Sequence, residues 1–192
     1  ARDSLELRLD APALSAIGFG LAGRARAEGR VGGTLEAPNG QLEFFGEGLV
    51  LPGEVRLAGL NGSARLEAGM DGPFALAVGL SGLGPAGSGP KSEAQPDWLA
   101  GAQLSAEGTR ARHRLVLTAE TPAQEDVADT LRLALEGGLG ADDTPRWAGQ
   151  LTTARLGAEE CFRSFALTQP AALALAGDGW RVGPLNLAGD PW

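Results

Sequence analysis

The sequence predicts an all-β protein built on a long sheet, and three observations predict it. Apolar residues recur at a spacing of two, as in Leu5-Glu6-Leu7-Arg8-Leu9 and through Phe74, Leu76, Val78 and Leu80. That period marks strands with one apolar face. The chain holds 30 glycines and 12 prolines, without a collagen-like repeat, as expected where turns break many short strands. Strand candidates also follow one another at roughly ten-residue intervals, with no helix between them long enough for a βαβ fold.

Taken in order, strands are expected at Leu5–Asp10, closed by Pro12, then Gly18–Ala27, and Val31–Glu36, closed by Ala37-Pro38-Asn39-Gly40. Next come Gln41–Phe45, Gly48–Leu51, Val55–Leu57, Ser63–Glu67 and the long Phe74–Leu83. Asn39-Gly40, Asn61-Gly62 and Asp71-Gly72 read as turns, because both residue types tolerate positive φ. Gly84 to Asp97 has three prolines and no apolar period, and reads as an exposed loop. Strands resume at Leu99–Glu107, Ala111–Ala119, Asp129–Glu136, Arg146–Thr153, Ser164–Thr168, Ala171–Ala176, Trp180–Val182 and Leu185–Ala188. Gln124–Ala134 contains helix formers, yet Leu131, Leu133 and Leu135 step by two; Ala158–Phe165 has room for one helical turn.

About sixteen strands leave a sandwich, a barrel, a propeller, a solenoid or an open curved sheet. Sixteen strands in one sheet would extend roughly 75 Å at ~4.8 Å per strand, and an open sheet of that size must curl. Curling with the leucines inside makes a trough. A membrane barrel is disfavoured by the absence of aromatic girdles, with Phe and Trp few and Tyr absent.

The residue inventory argues against chemistry. The net charge of −8 excludes a typical nucleic-acid surface. The sole lysine is Lys91, and the arginines, such as Arg24, Arg26 and Arg30, are spaced rather than clustered. Cys161 is alone, so it forms no intramolecular disulfide, and no base adjoins it. The single histidine, His113, shares a face with Leu115 and Leu117 and reads as structural; no Gly-x-Ser-x-Gly elbow accompanies it. The acidic pairs Asp126/Asp129, Asp142/Asp143 and Glu159/Glu160 fall in turns and read as solvated. Gly137-Gly138-Leu139-Gly140-Ala141-Asp142 matches one calcium β-roll repeat, a motif that works only in tandem. Asn61-Gly62-Ser63 fits a glycosylation acceptor and equally a plain turn. No enzyme, metal or cofactor is expected. No stretch is apolar for long enough to span a bilayer as a helix, and no signal peptide is visible. The chain reads as one piece of a longer sheet, any anchor lying outside it.

Particular residues carry a family resemblance. Gly108-Thr-Arg-Ala-Arg-His113-Arg-Leu-Val-Leu117 is followed by Leu131-Arg-Leu-Ala-Leu-Glu-Gly137, Trp147-Ala-Gly149-Gln-Leu151 and Phe165-Ala-Leu167-Thr-Gln-Pro170-Ala-Ala-Leu173-Ala-Leu175. Val31-Gly-Gly33-Thr-Leu35-Glu-Ala-Pro38 and Leu57-Ala-Gly-Leu60-Asn-Gly62-Ser-Ala-Arg-Leu66 add to it. This order resembles the TamB family of translocation and assembly module proteins, within the AsmA-like, bridge-type lipid transport proteins of Gram-negative bacteria. The resemblance implies a β-taco, an open curved sheet with an apolar concave groove, anchored in the inner membrane and crossing the periplasm. It implies phospholipid acyl chains as cargo, support of outer-membrane protein assembly, and an Omp85-class barrel, TamA, as partner of the parent chain. The groove lining is then assigned to Leu5, Leu7, Leu9, Phe74, Leu76, Val78, Leu80, Leu115, Leu117, Leu131, Leu133, Leu135, Leu151, Leu173, Leu175, Leu185 and Leu187. The alternatives are a chaperone for unfolded outer-membrane strands and a closed, cargo-free β-solenoid. Cut sheet edges would also favour edge-to-edge self-association.

Overall fold

A computed structural model describes residues 4–34, 36–86, 96–123, 128–140, 146–158, 163–176 and 179–189. Within them the chain forms β1 (Ser4–Ala11), β2 (Ala22–Gly33), β3 (Pro38–Leu51), β4 (Val55–Leu66), β5 (Phe74–Pro85), β6 (Leu99–Gly108), β7 (His113–Glu120), β8 (Thr130–Leu139) and β9 (Trp147–Ala158). The four remaining strands are β10 (Arg163–Leu167), β11 (Ala171–Ala176), β12 (Gly179–Val182) and β13 (Leu187–Gly189). A short 3-10 turn, Leu14–Ile17, joins β1 to β2.

All thirteen strands belong to one antiparallel sheet. From β1 to β9 spatial order follows chain order, then the sheet forks. One half of β9 pairs with β11 through Trp147↔Leu175 and Leu151↔Ala171; the other half pairs with β10 through Leu156↔Phe165. The first and last strands do not meet, so the sheet is open and neither a barrel nor a closed solenoid. Packing is between adjacent strands, with the 3-10 turn resting on β2. No second layer covers either face among the described residues. Buried apolar residues are accordingly few: Leu49, Leu57, Trp147 and five alanines.

Fewer, longer strands replace the sixteen expected. Gln41–Phe45 and Gly48–Leu51 are one strand, as are Val55–Leu57 and Ser63–Glu67; Val31–Glu36 joins the end of Gly18–Ala27. Asn39-Gly40 and Asn61-Gly62 lie within β3 and β4, whereas Asp71-Gly72 does occupy a turn. The physical reason is a line of skipped residues across the sheet. Pairing runs Glu47↔Gly59 then Leu49↔Leu57, Ser81↔Gly59 then Leu83↔Leu57, and Ser81↔Gly101 then Leu83↔Leu99. Gly48, Ala58, Gly82 and Ala100 are passed over together. Gly48 and Gly82 hold φ of 59° and 60°, a region where a Cβ is strained. Each skip reverses the alternation, so odd-numbered Leu49, Leu57, Leu83 and Leu99 join the face that carries even-numbered Leu60 and Leu80.

The remaining expectations divide. Gln124–Ala134 is strand from Thr130 onward. Gly84 and Pro85 belong to β5 rather than to a loop, and Trp98 N–H donates to the Leu83 carbonyl at 2.7 Å. Asp97 pairs with Arg56 at 2.5 Å. Residues 87–95, Cys161, Glu159/Glu160, Asp126 and Asp142/Asp143 lie outside the described residues.

Glycines within the strands leave room for large neighbours. Phe44 lies directly opposite Gly62, and its ring covers the space that a Gly62 Cβ would take. Gly62→Ala therefore displaces the Phe44 ring and crowds the Ala77 carbonyl. A loss of about 1–3 kcal/mol is expected in urea unfolding of the variant; an unchanged midpoint would contradict this packing.

Candidate functional site

The strand pairings place apolar residues in register from one strand to the next. One row runs Leu7–Gly29–Leu42–Ala64–Leu76–Ala106–Leu115–Leu135–Leu151–Ala171. The row beside it runs Leu9–Ala27–Phe44–Gly62–Val78–Leu104–Leu117–Leu133–Ala154. Neither contains a polar side chain. Nine strand spacings make the first row roughly 43 Å long at ~4.8 Å per spacing.

Every residue assigned to the lining from the sequence shares this face except Leu185, which lies in the irregular segment 183–186. Leu173 and Leu175 enter it opposite Gly149 and Trp147, and Leu187 opposite Leu167. Mid-sheet members such as Leu76, Leu80 and Leu117 are half-buried by lateral packing. Exposure rises at the ends, to 63% at Leu5 and 57% at Leu187. The same face also carries Leu42, Phe44, Leu49, Leu57, Leu60, Leu104, Trp147, Leu156 and Phe165, which the spacing-of-two reading did not assign. Extending that period through the glycines would have found Leu42 and Phe44. Leu49 and Leu57 were hidden by the skipped residues.

His113 stands on this face at one end of its strand, opposite Gly108 and Gly137. Its Nε2 accepts the indole N–H of Trp147 at 2.7 Å, and its Nδ1 lies 3.1 Å from the Thr109 carbonyl. The two bonds together define the neutral Nδ1–H tautomer. Phe74 tilts against the imidazole, with ring centroids 5.9 Å apart. Trp147 in turn lies over Gly137 and Gly149. The histidine is thus a member of an aromatic cluster, and among the described residues no serine or carboxylate hydrogen-bonds to it. No group of three or more His, Cys, Asp or Glu side chains suited to a metal occurs among the described residues.

The opposite face is polar. Glu6 pairs with Arg30 at 3.3 Å, Arg8 with Glu28 at 3.5 Å and Arg24 with Glu47 at 2.6 Å. The Arg24 hydrogen bond, reinforced by its charge, holds the Glu47 carboxyl below its ordinary range, and Arg26 does the same to Glu28. These pairs are exposed, so each adds little to stability.

One leucine-rich face, one charged face and an open antiparallel sheet are the features that the family comparison joins to a known group. The model of the TamB N-terminal domain matches residues 2–180. The chain belongs to the TamB family. No curated protein and no solved structure matches it. TamB proteins are transport and assembly proteins rather than enzymes, anchored in the inner membrane and spanning the periplasm, and they associate with TamA-type partners. Among the described residues of this TamB domain, no helix is long and apolar enough to cross a membrane.

The His113–Trp147 bond gives a local test. Trp147→Phe keeps most of the ring and removes the donor. A loss of about 1 kcal/mol is expected, together with a change in the His113 ring nitrogen shifts as the tautomer is released. Unaltered nitrogen shifts would show that the bond does not form.

Proposed function

We propose that the apolar face is a trough for phospholipid acyl chains, within a longer sheet that carries lipid between the inner and outer membranes and supports outer-membrane protein assembly. The observation that carries this reading is the pair of uninterrupted apolar rows, open along their length. Covering hydrocarbon is worth about 0.8 kcal/mol per buried methylene, so an acyl chain laid on the rows is shielded from water yet held loosely and reversibly. With no hydrogen-bonding side chain in either row, no point along them is preferred, and a chain held there is free to slide. Head groups remain at the rims or beyond them. The parent protein is anchored in the inner membrane, works in the periplasm and meets an Omp85-class barrel, TamA.

The open edge of β1 favours a second reading. Its outer backbone groups have no partner strand among the described residues, beside leucines that are 42–63% exposed. Such an edge pairs readily with an unfolded strand, or with the same edge of a second copy. In that reading the domain chaperones outer-membrane β-strands.

Phospholipid is expected to co-purify with the domain and to be seen by native mass spectrometry and thin-layer chromatography. Leu76→Asp and Leu133→Asp should each lower it severalfold, whereas Ala77→Asp, on the polar face, should not. Equal lipid in all four proteins would defeat the trough. Crosslinks from position 76 to lipid support it, and crosslinks from β1 to nascent barrel strands support the chaperone.

A further inference from the structure

The polar face holds a feature that lipid transport does not use. A shallow hollow of about 1280 Å³ lies over β1 to β7. Across it the register aligns Arg26, Phe45, Asn61, Gly79, Gln103 and Thr118, one residue per strand. Phe45 is 53% exposed there, an aromatic ring on a mostly polar surface. Gly79 leaves the middle of the row low, and the Asn61 carboxamide leans over it, its oxygen 2.6 Å from where a Cβ would stand.

The hydrogen-bonding capacity of this row is unspent. Asn61, Gln103 and Thr118 have no side-chain partner among the described residues. The cations that line the hollow are committed, Arg24 to Glu47 and Arg26 to Glu28, and Arg132, next in register beyond Thr118, lies outside it. Glu43 and Glu120 also line the hollow without a salt bridge among the described residues, so it repels phosphate and other anions. What remains is a stacking ring, two amides and hydroxyls, a set that suits a neutral ligand whose every group both donates and accepts. A pyranose offers that, with an apolar C–H face for the phenyl ring and a belt of hydroxyls for the amides. The row crosses the strands at ~4.8 Å per step, so successive sugar rings of an extended chain would each meet a new side chain.

We propose that this face binds an extended, uncharged oligosaccharide across β3 to β7, with one ring stacked on Phe45 and its neighbours hydrogen-bonded to Asn61 and Gln103. The glycan and the acyl chains then use opposite faces of one sheet and do not compete.

A hexamer of β-1,4-linked N-acetylglucosamine is the probe, titrated into labelled protein and followed by backbone amide shifts. Shifts are expected at Phe45, Asn61, Gly79, Gln103 and Thr118. Phe45→Ala should weaken binding about tenfold, while Phe45→Trp keeps it. Gln103→Ala should weaken it severalfold, and Leu76→Asp, on the other face, should leave it unchanged. Circular dichroism of each variant confirms the sheet, so that a lost signal reports the site. An absence of shifts at millimolar sugar would overturn the proposal. So would shifts confined to the apolar rows, or equal binding by Phe45→Ala and the parent.

Discussion

Parity is the constraint on which the molecule depends. In a strand each side chain takes the face opposite its neighbour, so a slip of one residue sends a whole apolar set to the other side. A sheet of thirteen strands multiplies that risk at every pairing. Here β3 to β6 skip a residue at the same level, and the partners beyond the skip still match: Leu49, Leu57, Leu83 and Leu99 stand in one row. Had Gly48 been skipped without Ala58 and Gly82, Leu49 would have paired out of step, and the apolar face would have broken at β3. Buried Leu49 leans over Gly46, which shows the two sides of the line sharing one face.

The absence of a covering layer follows from the same arrangement and raises an energetic question. Large apolar side chains left in water each forgo about 1.5–3 kcal/mol of burial. The sheet recovers part of this laterally. Phe44 lies across Gly62 and Trp147 across Gly137 and Gly149, so broad rings cover bare backbone. The end strands lack a neighbour on one side among the described residues, and there Trp180, Leu5 and Leu187 stay largely exposed. A face of this size is stable as a single layer only if something apolar completes it, or if solvent exposure is tolerated because the backbone ladder is long.

The strand content and most of the apolar face were legible in the sequence because a period of two survives any pairing partner. Leu115, Leu117, Leu131, Leu133 and Leu135 needed only that rule. Strand length was not legible, because glycine has two meanings. Asn61-Gly62 reads as a turn on local chemistry, yet Gly62 is in a strand because Phe44 needs its space. Gly48 and Gly82 fall inside expected strands, and nothing local shows that they let the strand continue with its parity reversed. The His113–Trp147 bond was invisible for a simpler reason: 34 residues separate its ends, and it exists only because β7, β8 and β9 pair in sequence. Phe45 was equally hidden, since its face depends on which of two adjacent phenylalanines turns inward.

The single imidazole clarifies how the two faces differ. His113 and Trp147 bring the polar atoms of two side chains to the apolar face, and they use them on each other and on the Thr109 carbonyl. Nothing in that cluster is left to hold a guest by a directed bond. On the reverse face the balance is opposite: Arg24 and Arg26 are consumed by neighbouring glutamates, while the amides of Asn61 and Gln103 have no side-chain partner among the described residues. A guest on the leucine rows would therefore meet area without direction, and a guest on the other side would meet directed polar groups among charges of both signs. On the proposed reading, two surfaces so unlike, back to back on one layer of backbone, would let a single strip of protein hold an apolar chain on one side while its other side faces water and whatever hydroxyl-rich matter that water contains.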